Sequence, residues 1–393
     1  MKLTKLSLVA ALLIGSSAFA IENTKVSGDA KLFYLTDDSG AGLFNKDTAY
    51  GQAALGLGLS TDLSDTVKGN AHLTALSTLG LEGQLVDNVW ESTNGVDDSF
   101  WFDTANISID MAKTNLSVGR MTLDTPLVWT ETWSIAYNTF EAAVIANTDL
   151  PDTTLVAAYV GGSNGAIENG NPGWVVANMN TAGNTNFSQF YQGAYVAGAL
   201  NNSWKPLNVQ AWYYNATSTL NAYWVQADLD ISGIQFGAQY MGGTIDGAAG
   251  ASDVDMSAYA VKVGYEMKDT FSIAASFSQT GKDSAASKNL SGAGYSKLYT
   301  ESWWTAIAGE KDMQTMNLTV SSPVNGAVDL AAYIVSAKDD TATKNEFFET
   351  TLEASKSFGD LDAMLVYVYT DADDATTNND AVNTIIVNLA YNF

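Results

Sequence analysis

Polar and apolar residues alternate with a period of two along most of the chain after residue 20. In IQFGAQY, at 234–240, Ile234, Phe236 and Tyr240 share one face, and LDAMLVYVY at 361–369 alternates in the same way. Alternation among β-branched and aromatic residues is typical of strands, and helical spacing is hard to find in this part of the chain. The pattern predicts an all-β protein.

The links between the predicted strands alternate in length. Short links rich in turn residues, such as 147–152 and 357–360, take turns with long polar stretches such as 161–188 and 280–311. A strand on each side of every link gives about eighteen strands of roughly ten residues. We expect them near 24–35, 50–60, 66–76, 100–110, 114–120, 139–147, 153–161, 189–200, 207–215, 220–229, 234–242, 255–266, 271–280, 312–321, 327–337, 348–356, 361–370 and 381–393.

An even number of such strands, with short links at one end and long links at the other, is the pattern of a transmembrane antiparallel β-barrel. Closing the sheet leaves no unpaired backbone edge in lipid. A secreted β-sandwich or solenoid is the alternative, but it explains neither the even strand count nor the alternating link lengths. Aromatic residues also fall near strand ends, where a membrane girdle would lie: Tyr213, Tyr214, Tyr240, Tyr265, Tyr369, Tyr391 and Phe393.

The two ends of the chain carry patterns of export and assembly. Residues 1–20 contain two lysines, a short apolar core and an AFA cleavage site, which together predict a cleaved signal peptide. Residues 21–393 are then a single barrel domain in the bacterial outer membrane. The last strand places Tyr391 and Phe393 on the lipid side and Asn392 on the lumen side. A terminal Phe393 resembles the C-terminal signal that such barrels present to their assembly machinery.

Charge and residue counts exclude several kinds of partner. The formal net charge of −25 argues against nucleic acid as a partner. Cysteine is absent and His72 is the only histidine, so neither a disulfide framework nor a transition-metal site is expected. The acidic stretches at 252–256 and 371–375 lack the spacing of a calcium loop and could bind Ca²⁺ or Mg²⁺ only loosely. We expect no cofactor.

One motif suggests catalysis but lacks its context. GGSNG at 161–165 matches G-x-S-x-G, with Ser163 at the nucleophile position. That motif needs a helix after the serine and a downstream histidine, whereas a loop follows here and His72 lies upstream. Alternation along 67–75 places His72 beside Lys68 on the lumen face. The sequence therefore predicts a polar lumen residue and no enzyme.

A more specific resemblance lies at 118–162, VGRMTLDTPLVWTETWSIAYNTFEAAVIANTDLPDTTLVAAYVGG. This segment is similar to the central region of OprD-like outer-membrane porins, and most similar to the epsilonproteobacterial major outer-membrane porins. The leader MKLTKLSLVAALL and the closing LAYNF resemble theirs too. The resemblance implies an eighteen-stranded barrel, usually a homotrimer in outer-membrane lipid and lipopolysaccharide, whose third extracellular loop folds inward to narrow the pore.

Carried onto this chain, the resemblance implies a constriction at 121–138, with candidate lining residues Asp124, Trp129, Glu131, Trp133 and Tyr137. Related porins oppose such a loop with a ladder of arginines on the barrel wall. Arg120 is the only arginine here, so that ladder cannot exist and carboxylate specificity of that kind is not expected.

The candidate basic residues of the pore wall are Arg120 together with Lys31, Lys68 and Lys262, which have lumen-facing parity. The local count from Leu116 and Val118 directs Arg120 outward.

These features predict a water-filled channel for passive diffusion of small hydrophilic solutes and ions. The acidic composition predicts cation preference, because carboxylates in a low-dielectric wall raise the local concentration of cations. The alternative is a structural or adhesive surface barrel with a closed lumen, whose long loops at 161–188 and 280–311 would contact an external partner.

Overall fold

The computed structural model describes residues 22–40, 42–80, 88–89, 99–165, 187–247, 252–282, 284–291, 294–324, 326–341, 344–373 and 380–393. Long strands dominate this part of the chain. The strands are β1 Glu22–Asp37, β2 Ala49–Ser64, β3 Val67–Ser77, β4 Ser99–Met111, β5 Thr114–Met121, β6 Phe140–Asn147, β7 Thr153–Ser163, β8 Ser188–Asn201, β9 Leu207–Ala216, β10 Leu220–Ile231, β11 Ile234–Ile245, β12 Val254–Met267, β13 Phe271–Thr280, β14 Met313–Val324, β15 Val328–Asp339, β16 Glu346–Phe358, β17 Leu361–Asp373 and β18 Val382–Asn392.

Two smaller elements accompany these strands. A 3₁₀-helix spans Lys46–Thr48, and the two-residue segment Asn88–Val89 pairs in parallel with the start of β2. A search of the described residues for a helix long and apolar enough to cross a membrane finds none.

The strands form one closed antiparallel barrel. Each strand pairs with the next along the chain, and β18 returns to pair with β1 from Asp29↔Asn392 to Asp37↔Thr384. The predicted barrel of about eighteen strands is confirmed. Predicted strand ends differ from the observed ones by at most about four residues, because pairing continues into polar rim residues where the apolar alternation has already ended.

The two faces of the barrel wall differ in what they contact. Outward side chains such as Phe236 and Tyr259 remain 44–50% exposed, whereas Trp224 and Met241 on the inner face are fully buried. The inner face can bury large side chains because two of the links at the long-link end fold into the barrel and pack against it. Outward apolar side chains with polar residues inside are expected for a wall between lipid and water.

The carboxyl end closes the barrel beside β1. The backbone N–H of Phe393 donates to the carbonyl oxygen of Gly28 at 2.9 Å, and the N–H of Gly28 donates back at 2.7 Å. A Cβ at position 28 would lie 2.4 Å from the Phe393 ring, so glycine leaves the space that this ring occupies. The predicted role of Tyr391 and Phe393 in barrel assembly rests on this exposed aromatic end and stays a prediction.

The first inward link, 122–139, is here called the constriction loop. It joins β5 to β6, and its Leu127 and Ile135 are each 1% exposed. It is the third link at the long-link end, so the predicted inward third loop is confirmed.

A second inward link, 281–312, joins β13 to β14 and was not predicted. Its Ala308 and Ser291 are fully buried, and Leu290 is 7% exposed. The sequence predicts 280–311 as a long loop available to an external partner. Much of this second inward loop instead packs inside the barrel, against the constriction loop and the wall.

Candidate channel constriction

The constriction loop begins as a tight hairpin held to the wall. The N–H of Thr130 donates to the carbonyl oxygen of Leu123 at 2.8 Å, and the N–H of Thr125 donates to that of Val128 at 3.1 Å. The N–H of Leu127 donates to the Tyr214 hydroxyl on β9 at 3.3 Å. The hairpin therefore has its own backbone pairing and a fixed attachment to the barrel wall.

The second inward loop joins the constriction loop through Asn289 and its neighbours. The Asn289 side-chain amide donates to the Trp129 carbonyl oxygen and to the Glu131 carboxylate, both at 2.9 Å. The backbone N–H of Leu290 donates to the Leu127 carbonyl oxygen at 2.8 Å. Asn138 donates in turn to the carbonyl oxygen of Ser291. The two loops form one packed unit, because each satisfies backbone groups of the other.

The two acidic residues predicted to line the constriction lie in different environments. Glu131 is 2% exposed, and its carboxylate accepts from Asn289 and from the Trp133 indole N–H at 3.2 Å. Asp124 has a side chain that is 89% exposed and forms an ion pair with Lys297 of the second inward loop. Of the two, Asp124 presents its carboxylate to water, and Glu131 is enclosed by the loops.

Carboxylates on the barrel wall hold the second inward loop in place. Glu349, which is fully buried on β16, accepts from the backbone N–H groups of Trp304 at 2.9 Å and Thr305 at 2.8 Å. Glu353, four residues further along the same strand and on the same face, accepts from the Trp303 indole N–H at 3.0 Å. Hydrogen bonds to an ionised acceptor are stronger than neutral ones, so these two glutamates are firm attachments.

Within the second inward loop, Glu301 organises the backbone around itself. Its carboxylate accepts from the N–H groups of Ser302 at 3.1 Å and Ala308 at 3.2 Å, and from that of Ser296. Burial raises the pKa of Glu301 to about 7, although nearby Lys288 and these N–H groups favour the charged form. The charge of this loop therefore changes close to neutral pH.

Aromatic side chains gather where the two loops meet. The ring centroids of Trp133 and Tyr295 lie 5.6 Å apart, those of Trp133 and Trp304 lie 6.2 Å apart, and those of Trp303 and Trp304 lie 6.4 Å apart. Trp133, Trp303 and Trp304 are all half-buried. We call these three residues the tryptophan cluster.

Each lysine predicted on the lumen face has an acidic partner. Lys31 lies 3.5 Å from Asp29, and Lys68 lies 3.8 Å from Asp110. The Lys31 ammonium also lies 4.6 Å from the centre of the Tyr137 ring in the constriction loop. These two lysines neutralise wall carboxylates and do not form a free basic ladder.

Lys262 follows the same arrangement on the other side of the barrel. Its ammonium lies 3.5 Å from Asp228 and 4.5 Å from the centre of the Tyr299 ring. The Tyr299 hydroxyl donates to Asp228 at 2.7 Å. A wall ion pair thus supports a residue of the second inward loop.

His72 lies on the inner face between two carboxylates. Its Nδ1 is 2.7 Å from Asp103, and its Nε2 is 3.2 Å from Asp29, on the far side of β2. His72 and Asp29 can meet across β2 because the residue between them is Gly56. A Cβ at that position would lie 2.1 Å from the Asp29 carboxylate. A break in register beside His72 turns Asp103 inward.

Ser163 lies elsewhere, fully buried and bonded to Ser291 at 2.6 Å.

Arg120 lies on the outer face, which corrects its prediction as a pore-wall residue. It pairs in register with Glu141, and its Nε lies 3.0 Å from that carboxylate. Val118, two positions earlier on the same face, is 49% exposed. The guanidinium also stacks 3.9 Å from the centre of the Phe187 ring. Strict alternation from Val118 therefore sets the direction of Arg120.

Sequence reasoning missed the contribution of the second inward loop to the constriction. Lys297, Tyr299, Trp303 and Trp304 all contact the constriction loop or the inner wall. A signal was present in the sequence, because two adjacent tryptophans inside a long polar link are unusual for a solvated loop.

Comparison with solved structures finds the same architecture in outer-membrane channels. Acinetobacter baumannii OccAB1 superimposes with a TM-score of 0.76 at 13% identity, covering 95% of this chain and 97% of that one. Pseudomonas aeruginosa OccK8 (OprE) gives 0.71 at 16% identity, covering 95% and 99%. Pseudomonas aeruginosa OpdK, solved with vanillate, gives 0.71 at 13%, covering 95% and 99%.

No protein-family profile and no curated protein sequence matches the chain. At these identities the likeness shows the fold, which is that of the OprD-like porins, as the resemblance at 118–162 implied. Particular similarity to the epsilonproteobacterial porins stays a prediction.

Proposed function

We propose that this protein forms a water-filled channel in the bacterial outer membrane, through which small hydrophilic solutes and ions diffuse passively. The observation that carries the proposal is the closed eighteen-stranded barrel with two inward loops. A barrel of this strand number encloses more space than wall side chains fill, so loops set its narrowest point. No catalytic step is needed.

Cation preference is the finer part of the proposal. Lys31, Lys68 and Lys262 are each paired with a wall aspartate, so they contribute little free positive charge. Glu349 and Glu353 place two carboxyl groups on the inner face, where they accept hydrogen bonds from Trp304 and Trp303. With a net charge of −25, the lumen potential is expected to favour cations.

Two further inferences accompany the channel. The signal peptide at 1–20 and the aromatic end at Tyr391 and Phe393 support export and insertion by barrel-assembly machinery. The homotrimer and contacts with lipopolysaccharide follow from the family resemblance, and loose Ca²⁺ or Mg²⁺ binding at the acidic loops from the sequence alone.

Liposome swelling tests the channel directly. Proteoliposomes placed in isosmotic solutions of neutral sugars should swell, fastest with a pentose and progressively more slowly with a disaccharide and a trisaccharide. Protein-free liposomes are the control. No swelling from protein whose heat-dependent gel mobility shows a folded barrel would contradict the channel and favour the closed surface barrel.

A further inference from the structure

We infer that the tryptophan cluster is a binding site for small organic cations that carry an alkylated ammonium group. This inference rests on the proposed channel and names a class of solute for its constriction. Three half-buried indoles, Trp133, Trp303 and Trp304, contact one another where the two inward loops meet. Both loops lie inside the barrel, and each of the three residues keeps part of its surface exposed there.

Hydrogen bonds hold the three tryptophans in place, two through the indole N–H and one through the backbone. The Trp133 N–H donates to Glu131 at 3.2 Å, and the Trp303 N–H donates to Glu353 at 3.0 Å. The backbone N–H of Trp304 is bound to Glu349. Trp303 and Trp304 also pack against an apolar patch of the inner wall that includes Val366 and Ile386. The rings are therefore fixed before any solute arrives, which lowers the entropic cost of binding.

The electrostatics of this site favour a cation. Glu131, Glu349 and Glu353 lie at the indole edges or backbone, and carboxylates there strengthen the negative potential at the ring faces. The face of tryptophan attracts cations more strongly than that of any other aromatic side chain, and alkylated ammonium groups are the ligands typically held this way.

The molecule already uses the same chemistry within its own loops. Lys297 lies 5.1 Å from the centre of the Trp129 ring, Lys31 lies 4.6 Å from that of Tyr137, and Lys262 lies 4.5 Å from that of Tyr299. Aromatic rings of both inward loops therefore hold ammonium groups in this lumen.

An alkylated ammonium suits the cluster better than an inorganic ion. K⁺ retains its hydration shell and gains little from a ring face, whereas methyl groups around a nitrogen contact indole carbons directly and spread the charge over their surface. The rings thus favour a cation with an apolar surface, and the wall carboxylates favour its charge.

Bi-ionic reversal potentials test this inference. Purified wild-type protein in a planar bilayer, with KCl on one side and tetramethylammonium chloride on the other, gives the permeability ratio of the two cations. Trp133→Leu and Trp303→Leu should each lower the ratio of tetramethylammonium to K⁺ about twofold to fivefold. Trp303→Phe should retain part of it, because a weaker ring face remains.

Trp204→Leu is the matched control, since Trp204 is 57% exposed in the link between β8 and β9 and far from the cluster in the fold. Its ratio should equal that of wild type. If both leucine variants carry K⁺ current with an unchanged ratio of tetramethylammonium to K⁺ permeability, the inference is overturned and the proposed channel is unaffected. Absence of any KCl current overturns the channel, and the inference with it.

Two further measurements separate charge from apolar contact and from loop damage. Choline should reduce single-channel K⁺ current more than its neutral isostere 3,3-dimethyl-1-butanol does; equal reduction overturns the role of charge. Protein made with fluorinated tryptophan keeps the shape of the side chains, but the ring faces attract cations less strongly. It should show a lowered ratio with normal K⁺ conductance, and an unchanged ratio contradicts the inference.

Discussion

At the residue scale, position in the fold decides what each charged side chain does. Glu131 and Asp124 lie seven residues apart in one loop, yet Glu131 is 2% exposed and Asp124 has an 89% exposed side chain. The first supports packing between the loops, because its two oxygens accept from Asn289 and Trp133. The second faces water beside Lys297, so we expect its charge and that of Lys297 to act on passing ions.

Neutralising Asp124 and neutralising Lys297 should change the ion selectivity in opposite directions. Asp124→Asn should lower the permeability ratio of K⁺ to Cl⁻ about twofold, because Lys297 then faces the lumen unneutralised. Lys297→Gln should raise the ratio by a similar factor, and the double variant should return toward wild type. Reversal potentials in a KCl gradient measure all three. Equal ratios in the two single variants would show that this pair lies outside the ion path.

At the element scale, the strands could be predicted from the sequence, whereas the position of the second inward loop depends on contacts that exist only in the closed barrel. Period-two alternation is a local property, so β10 to β13 could be predicted with their ends nearly in place. The inward direction of 281–312 depends on Glu349 and Glu353, which are distant in sequence and meet the loop only after the barrel closes. Period-two alternation carries no information about that contact, and the adjacent tryptophans indicate only that the link packs, not against which residues.

Docking of the second inward loop should weaken as the pH rises, because Glu301 then becomes charged. Burial raises the pKa of this carboxyl to about 7 from its ordinary value of 4.5. The protonated form is therefore favoured in the docked loop, and this contribution to docking is complete below pH 4.5 and is lost as the pH rises through 7. Open-channel current noise should be larger at pH 8 than at pH 5.

Glu301→Gln is the matched variant for that prediction, since the amide keeps the shape of the neutral acid without titrating. Noise in this variant should be nearly independent of pH between 5 and 8. A wild-type channel that is quieter at pH 8 than at pH 5 would show that the N–H groups of Ser302 and Ala308 stabilise the charged form more than burial opposes it.

At the scale of the whole molecule, a closed wall of eighteen strands and two interlocked loops produce a narrowed path. The wall supplies the carboxylates that attach the second inward loop, and the two loops supply the aromatic rings and the exposed Asp124 at the constriction. Barrel closure and strand number could be predicted from the alternation and the link lengths, and the first inward loop from the family resemblance. The outward direction of Arg120 followed from local alternation, and the family resemblance misplaced it.

The reversal potential of wild-type protein in a planar bilayer under a KCl gradient tests both the channel and its cation preference. A cation-preferring channel should give stepwise conductance increments and a potential whose sign shows that K⁺ crosses more readily than Cl⁻. Absence of conductance from protein shown to be a folded barrel would contradict the channel. Conductance with a potential that favours Cl⁻ would contradict the assignment of the lumen carboxylates as the source of selectivity.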